Sequence, residues 1–363
     1  MSLQRSVLVM AGGTGGHVFP ALAVVEQLRA RGAAVTWMGT RRGLEATLVP
    51  KAGIPMEWIG VAGLRGKGLR QRLLTPVMLG RALWQAGAIL RRLRPAVVLG
   101  MGGFASGPGG VMARLLGIPL VVHEQNAIAG LTNRWLARVA RRVFEAFPGA
   151  FPTVRRAIAV GNPVRESIAA LPPPADRFAM RKGRRRLLVL GGSQGALALN
   201  QLVPQTLALL EADERPEVWH QAGGQLHAAA EMAYREAGLT AHYRLTPFID
   251  DMAEAYAWAD LVLCRAGALT IAELTAVGIG AVLVPFPFAV DDHQTANARF
   301  LERDGAARVC QQAELTAERL AAVLQALLRD PDRLLCMAEA ARRLAKVDAA
   351  EQVALACLEC ANH

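Results

Sequence analysis

Short, unbroken apolar runs recur along this chain of 363 residues, and each gives way to glycine or polar residues and then to a helix-like stretch. The runs are Val7-Leu8-Val9-Met10, Ala33-Ala34-Val35-Thr36-Trp37-Met38, Ala96-Val97-Val98-Leu99, Leu120-Val121-Val122, Leu187-Leu188-Val189-Leu190, Leu261-Val262-Leu263-Cys264 and Ala281-Val282-Leu283-Val284. They do not alternate with polar residues, so each predicts a strand buried on both faces. Such strands interleaved with helices predict an α/β chain of parallel sheets covered on both sides. A chain of this length exceeds one hydrophobic core, and two domains are expected.

The boundary is expected around Gly161-Asn162-Pro163-Val164-Arg165, ahead of Pro172-Pro173-Pro174 and the basic run Arg181-Lys182-Gly183-Arg184-Arg185-Arg186. Prolines stiffen a connection and charge keeps it solvated. This divides the chain into domains 1–162 and 163–346, with a helix-like tail over 347–363 that is a candidate to rejoin the first domain.

Two of the turns after strands are alike. Gly12-Gly13-Thr14-Gly15-Gly16-His17 follows the first run and precedes a helix expected from Phe19; Gly191-Gly192-Ser193-Gln194-Gly195 follows the fifth and precedes a helix from Ala196. Glycine permits close backbone approach, and a helix N-terminus offers free N–H groups to an anion. Neither turn is a nucleotide signature alone, because the first lacks the lysine of a P-loop and departs from G-x-G-x-x-G spacing. A plain strand-to-helix connection is the alternative, and recurrence half a chain apart counts against it. The pair points to a phosphorylated ligand.

Polar residues gather where other strands end. Gly100 to Gly110 is a third glycine-rich segment, able to form a backbone nest for an anion. His123-Glu124-Gln125-Asn126 follows the fourth run, Arg265 to Glu273 follows the sixth, and Asp291 to Ala298 opens a helix after Pro285-Phe286-Pro287. In open α/β sheets ligands bind at that end of the strands. A helix cap or an internal loop bond is the alternative for each residue.

The 41 Lys and Arg against 30 Asp and Glu leave a formal charge of +11, which suggests an anionic partner or surface. Few aromatics and no zinc-finger, KH or RRM signature accompany it, which counts against nucleic acid, and Arg-rich solvated helix faces are the plain alternative. A helix is expected from Thr75-Pro76 as N-cap and first position, with Leu79, Leu83, Ala86, Leu90 and Leu93 as its core face. Leu73, Leu74, Val77 and Trp84, beside Arg81 and the basic segment 65–72, form an apolar tip among arginines. That pattern suits an anionic membrane surface, a protein interface or further core packing. The five cysteines are scattered; Cys357 and Cys360 lack partners for a zinc site, so reduced thiols and no metal are expected. The chain enters its first strand directly and holds no apolar stretch near ~18 residues, so a cytosolic, non-spanning protein is expected.

Taken in order, Gly12 to Ala23, Gly102-Gly103-Phe104-Ala105-Ser106-Gly107-Pro108, His123-Glu124-Gln125-Asn126, Gly161 to Arg165, Gly191 to Ala196 and Arg265 to Thr270 resemble the motifs of the MurG family of peptidoglycan N-acetylglucosaminyltransferases, over essentially the whole chain. The resemblance implies a GT-B fold, two Rossmann-like domains with a cleft between them. It implies a hexosyltransferase moving N-acetylglucosamine from UDP-N-acetylglucosamine to lipid I, the undecaprenyl-pyrophosphoryl-N-acetylmuramoyl pentapeptide, to form lipid II. It places such an enzyme peripherally on the cytoplasmic face of the membrane, in cell-wall synthesis, where cell-wall or division proteins are candidate partners. Another GT-B sugar-nucleotide enzyme, or a membrane-associated scaffold without activity, is the alternative.

Carried over by position, the resemblance assigns the donor to Ser193 and Arg165 near the diphosphate, Ile249 at uracil, Ala268, Leu269, Thr270, Ile271, Ala272 and Glu273 along the nucleotide with Glu273 on the ribose, and Gln294 at the sugar. Thr14, Gly15, Gly16 and Asn126 complete that site. The family often has two glutamines where this chain has His293-Gln294. Gly13, Gly102, Gly103 and Ser106 are candidates for the acceptor diphosphate. Inversion at the sugar needs a base and no enzyme nucleophile. His17, of a residue type titrating near ~6.5, is the candidate base, with loop ordering or diphosphate binding as alternative roles and Glu124 as the alternative base. No D-x-D metal signature stands out; no cofactor is required, and Mg²⁺ assistance is compatible with the scheme.

Overall fold

The computed structural model describes residues 5–60, 69–192 and 195–362, with backbone alone for 69–74. The chain divides into two compact units, Met1–Arg165 with Lys346–His363, and Glu166–Ala345. The first unit begins β1 (Ser6–Met10), α1 (Gly15–Ala30), β2 (Ala34–Gly39), α2 (Glu45–Lys51), β3 (Met56–Trp58) and α3 (Leu69–Leu93). It continues through β4 (Val97–Gly100), α4 (Ser106–Leu115), β5 (Leu120–Glu124), α5 (Leu131–Leu136), β6 (Arg142–Glu145) and β7 (Ile158–Ala159). Its seven strands are all parallel, in the order β3-β2-β1-β4-β5-β6-β7.

The second unit holds α6 (Glu166–Ala169), α7 (Pro174–Ala179), β8 (Arg186–Leu190), α8 (Leu197–Ala208), β9 (Glu217–Gln221), α9 (His227–Glu236), β10 (Tyr243–Thr246) and α10 (Met252–Trp258). There follow β11 (Leu261–Cys264), α11 (Ala268–Val277), β12 (Gly280–Leu283), α12 (His293–Arg303), β13 (Ala307–Val309), α13 (Ala317–Leu328) and α14 (Pro331–Arg343). Its sheet is again wholly parallel, ordered β10-β9-β8-β11-β12-β13. The last helix, α15 (Ala349–Ala361), returns to the first unit and packs on α1.

Period-two geometry explains why the apolar runs are unbroken. Val7 and Val9 of β1 face a core shared with α1 and α15, whereas Leu8 and Met10 face a second core with Ala86, Ile89 and Leu90 of α3. Both faces are therefore buried, and each fully buried Val or Leu contributes about 1.5–3 kcal/mol. Cys357 and Cys360 belong to the α15 face of this core. Burial pushes the Cys357 thiol up, which makes it an inert core residue.

Two helix boundaries depart from the sequence reading. Helix α1 starts at Gly15 rather than Phe19, because the Thr14 carbonyl already accepts from the Val18 N–H at 3.2 Å. Helix α3 starts at Leu69, so Thr75-Pro76 lies inside it instead of capping it. Proline at that place removes one N–H from the helix ladder, a cost a long helix tolerates when the rest of it packs. Leu79, expected in the core, is 44% exposed. Among its described side chains, α3 is covered through Ala82, Ala86, Ile89 and Leu90, with Leu83 and Leu93 half-buried. Among the described residues no helix is long and apolar enough to cross a membrane.

Candidate active site

Each sheet reverses its strand order once, between β1 and β4 in the first unit and between β8 and β11 in the second. At such a switch point the connections leave in opposite directions and open a crevice at the strand ends. The glycine-rich segments of the sequence fall on these two places. Residues 11–16 and 101–105 follow β1 and β4, while residues 191–196 and 265–267 follow β8 and β11.

In the first unit the turns after β1 and β4 touch through backbone. Gly103 has φ +82°, and a Cβ there would stand 2.8 Å from the Gly12 nitrogen. Gly102, at φ +90°, faces the His17 ring, whose Nδ1 and Cε1 would lie 2.7 Å from a Cβ. Larger residues would separate the loops. Glu45, which the sequence reading missed, holds the first turn from below. Its buried carboxylate accepts from the Gly13 N–H at 2.8 Å, the Thr40 N–H at 3.0 Å and the Thr40 hydroxyl at 2.8 Å. The signal available in sequence was an acid at the first position of α2 directly after a strand-end threonine and glycine loop. Trp37 Nε1 donates to the Ala11 carbonyl at 2.9 Å and pins the start of the same turn.

The candidates of this unit separate by what their polar atoms already do. Gly13 and Thr14 are exposed and Gly15, Gly16 and His17 half-buried at the start of α1, where the Thr14 side chain makes no cap. First-turn N–H groups of this kind favour an anion. Ser106, a diphosphate candidate, is instead fully buried with its hydroxyl 2.7 Å from the Gly102 carbonyl and 2.9 Å from that of Met10. Its hydroxyl closes the loop and is not presented to a ligand.

Glu124, the alternative base, is likewise committed to structure. Oε1 accepts from the Asn126 N–H at 2.9 Å and side chain at 3.2 Å; Oε2 accepts from the Gly130 N–H at 3.0 Å and Asn133 Nδ2 at 2.9 Å. A buried carboxylate with four donors orders its loop and fixes Asn126. His17 Nδ1 lies 2.9 Å from Gln125 Oε1, and Arg165 sits over the Phe19 ring at 5.3 Å.

In the second unit α11 begins at Ala268 behind Gly267, so Ala268, Leu269 and Thr270 form its first turn at the switch point. Two residues of α12 grip the peptide just before it. Gln294 Oε1 accepts from the Ala266 N–H at 3.2 Å and the Phe286 N–H at 2.9 Å, and Asn297 Nδ2 donates to the Ala266 carbonyl at 3.1 Å. This commits the carbonyl half of Gln294 and leaves its NH₂ half to donate. Glu273 is buried one turn into α11 with Ile271, and its Oε2 accepts from the Tyr256 hydroxyl at 3.0 Å; Ala272 is half-buried beside it. Arg265 ties the strand ends together through the Val284 carbonyl at 3.1 Å and Gln312 at 2.6 Å. Ile249 is buried after β10, and Ser193 lies outside the described residues.

Buried polar side chains that sequence reasoning also missed tie α8 and α9 to β9. His220 on β9 is buried between the Tyr234 hydroxyl at 3.0 Å and Asn200 Oδ1 at 3.1 Å, while Asn200 Nδ2 donates to the Ala222 carbonyl at 2.9 Å. Burial lowers its pKa to about 3, as it lowers that of His123 to about 4. Both imidazoles are neutral near pH 7. Of the apolar-tip candidates, Val77 is 69% and Trp84 72% exposed, with Arg81 exposed between them; the side chains of Leu73 and Leu74 lie outside the described residues. Among the described residues no cluster of three or more His, Cys, Asp or Glu could hold a metal ion.

The family model for the glycosyltransferase family 28 N-terminal domain matches residues 7–145, and that for the family 28 C-terminal domain matches residues 186–353. The chain belongs to glycosyltransferase family 28. A Nitrosococcus oceani protein named UDP-N-acetylglucosamine--N-acetylmuramyl-(pentapeptide) pyrophosphoryl-undecaprenol N-acetylglucosamine transferase is 60% identical over 356 residues, covering 98% of this chain and 99% of that one. A Methylococcus capsulatus protein of the same name is 55% identical over 357 residues, again covering 98% and 99%. The crystal structure of Acinetobacter baumannii MurG matches with a TM-score of 0.84 at 42% identity, over 98% of this chain and 99% of that one. These family 28 relatives bear out the resemblance and the GT-B class of two parallel α/β sheets.

Two outcomes test this account. Glu45→Ala strands the two buried donors of Thr40, each costing about 1–3 kcal/mol, and releases the Gly13 N–H, so urea unfolding should show a loss of roughly 2–5 kcal/mol; an unchanged midpoint would contradict the support of the first turn. Neutral buried histidines bind more protons when unfolded, so their contribution is complete above about pH 6.5 and falls as pH drops toward the native values. Stability between pH 6.5 and 5 should decline by up to about 1.4 kcal/mol per pH unit for each histidine, and a flat profile there would show that His123 and His220 are not held neutral.

Proposed function

We propose that this family 28 chain transfers N-acetylglucosamine from UDP-N-acetylglucosamine to lipid I and so forms β1,4-linked lipid II and UDP. The reading is carried by one observation, a glycine-led helix start at the switch point of each unit in a chain with full-length relatives of that name. Two pyrophosphates take part in the reaction, one in the donor and one in the acceptor, and the two turns supply one cradle for each.

In this reading the second unit takes UDP. The first turn of α11, from Ala268 to Thr270, and the segment holding Ser193 meet the diphosphate, Ile249 meets uracil, and Glu273 binds the ribose hydroxyls. Gln294 offers its NH₂ group to the transferred sugar. Asn126, Arg165 and Thr14 to Gly16 complete the donor site, while Gly102 and Gly103 receive the acceptor diphosphate; the Gly13 N–H, a candidate for that role, is spent on Glu45.

His17 removes the proton from the acceptor 4-hydroxyl as its oxygen attacks the anomeric carbon. The bond from that carbon to the diphosphate oxygen breaks, UDP leaves with the electron pair, and configuration inverts. Helix N–H groups and Arg165 stabilise the departing charge, so the scheme needs no metal. The exposed Val77 and Trp84 with Arg81 hold the first unit on an anionic membrane at the cytoplasmic face, where the lipid acceptor resides.

Transfer of labelled N-acetylglucosamine to lipid I or a short-chain analogue tests the chemistry. Wild type should form the disaccharide, His17→Ala should lower kcat by about 10²- to 10⁴-fold, and Glu273→Ala should chiefly raise KM for the donor. Folded wild type giving no product with a competent acceptor would refute the transferase reading. Trp84→Asp should weaken sedimentation with anionic vesicles while leaving transfer to a soluble analogue intact; undiminished vesicle binding would remove α3 from the membrane contact.

A further inference from the structure

A chain of three hydrogen bonds runs from the backbone of the first unit to the proposed base. His123 Nε2 is 2.9 Å from the Gly161 carbonyl oxygen, Gln125 Nε2 is 3.1 Å from His123 Nδ1, and Gln125 Oε1 is 2.9 Å from His17 Nδ1. Each of these positions has a donor on one side and an acceptor on the other, so fixing one end fixes all of them.

The fixed end is the Gly161 carbonyl, which has no proton to give. Gly161 has φ +84° with the Lys346 side chain packed where a Cβ would stand, so this carbonyl is held by a conformation that favours glycine. His123 Nε2 must therefore carry a proton and donate it. His123 is fully buried, and burial lowers its pKa to about 4, so it holds a single ring proton at neutral pH. Its Nδ1 is then a bare acceptor.

Only the NH₂ end of Gln125 can satisfy that acceptor. Turning the amide over would set its oxygen against the bare nitrogen, two acceptors facing each other without water. The same NH₂ lies 3.3 Å from the His123 carbonyl, and Asn162 Nδ2 donates to the Gln125 carbonyl at 3.0 Å, so the residue is held at both ends. The amide orientation thus follows from the bonding requirement as well as from the coordinates. Gln125 Oε1 then faces His17 and can only accept.

We propose that His123 and Gln125 are positioning residues that lock His17 in the Nδ1–H tautomer and leave its Nε2 lone pair bare to take the acceptor's proton. An unconstrained neutral imidazole favours the opposite, Nε2–H, form, which has no lone pair at that nitrogen. Which ring nitrogen is protonated is set by the bond the other one makes. The inference rests on His17 as the base, but the tautomer is observable without turnover.

The experiment is long-range ¹H–¹⁵N NMR of the full-length protein with ¹⁵N-labelled histidine at pH 8, with His17 signals assigned by their loss in His17→Ala. Wild type should show a protonated Nδ1 and a bare Nε2 at His17. In Gln125→Leu and His123→Phe the proton should move to Nε2, and kcat should fall by about 10²- to 10⁴-fold with the donor KM within about twofold of wild type, a split that general loosening of the fold would not give. A wild-type His17 protonated at Nε2, or variants that keep the Nδ1–H form, would overturn the lock. His123→Phe carries a risk of misfolding, and the wild-type spectrum and Gln125→Leu decide the matter without it. Full turnover by His17→Ala would refute the base assignment while leaving a wild-type Nδ1–H spectrum to stand.

Discussion

A parallel sheet sends every strand the same way, so all of its strand-to-helix turns emerge along one edge. That constraint organises both units of this protein. Within each, the reversal of strand order leaves two neighbouring turns diverging at that edge, and the helix N-termini behind them bring N–H groups to the same place. The apolar runs, buried on both faces, make this geometry obligatory, since neither sheet can turn a face to water.

Most buried polar side chains near these edges hold the loops rather than face a substrate. Glu45 supports the first glycine turn, Ser106 closes the second, and Glu124 organises the stretch from Asn126 to Asn133. Arg265, Gln294 and Asn297 do the same at the start of α11, and His220 with Asn200 ties α8 to β9. Such groups are expensive to bury unless paired, and once paired they give the glycine backbone a single conformation. The glycines supply close approach, and the buried acids and amides supply the rigidity that glycine lacks.

His17 shows how the two requirements meet. It stands in the first turn of α1, where Gly102 leaves room for its ring, and its Nδ1 is tied to a buried chain of side chains. A ring held this way presents one nitrogen consistently, which a loop histidine in water would not. The exposed end of α3 follows the opposite logic. Val77, Leu79 and Trp84 stay exposed while Ala82, Ala86, Ile89 and Leu90 of the same helix are buried.

The amino-acid sequence by itself determined the parallel α/β class, the strands of the sheet centres and the anion-ready turns, because unbroken apolar runs and glycine clusters are local patterns with one economical reading. The glycine, His-Glu-Gln-Asn and Arg-Ala-Gly motifs in order also determined the family. Short edge strands such as β3 and β7 carry too few apolar residues to stand out, and the polar Trp219-His220-Gln221 end of β9 hides a buried strand. Only the tertiary structure decided that Leu79 is exposed, that Ser106 and Glu124 are spent on their loops, and that Glu45, 32 residues from Gly13, supports the first turn. It alone joined His17 to Gln125 across 108 residues and Gln125 to Gly161 through His123. Those outcomes depend on which donor meets which acceptor across the chain, and a residue's type and local spacing carry no record of the partner that folding brings to it.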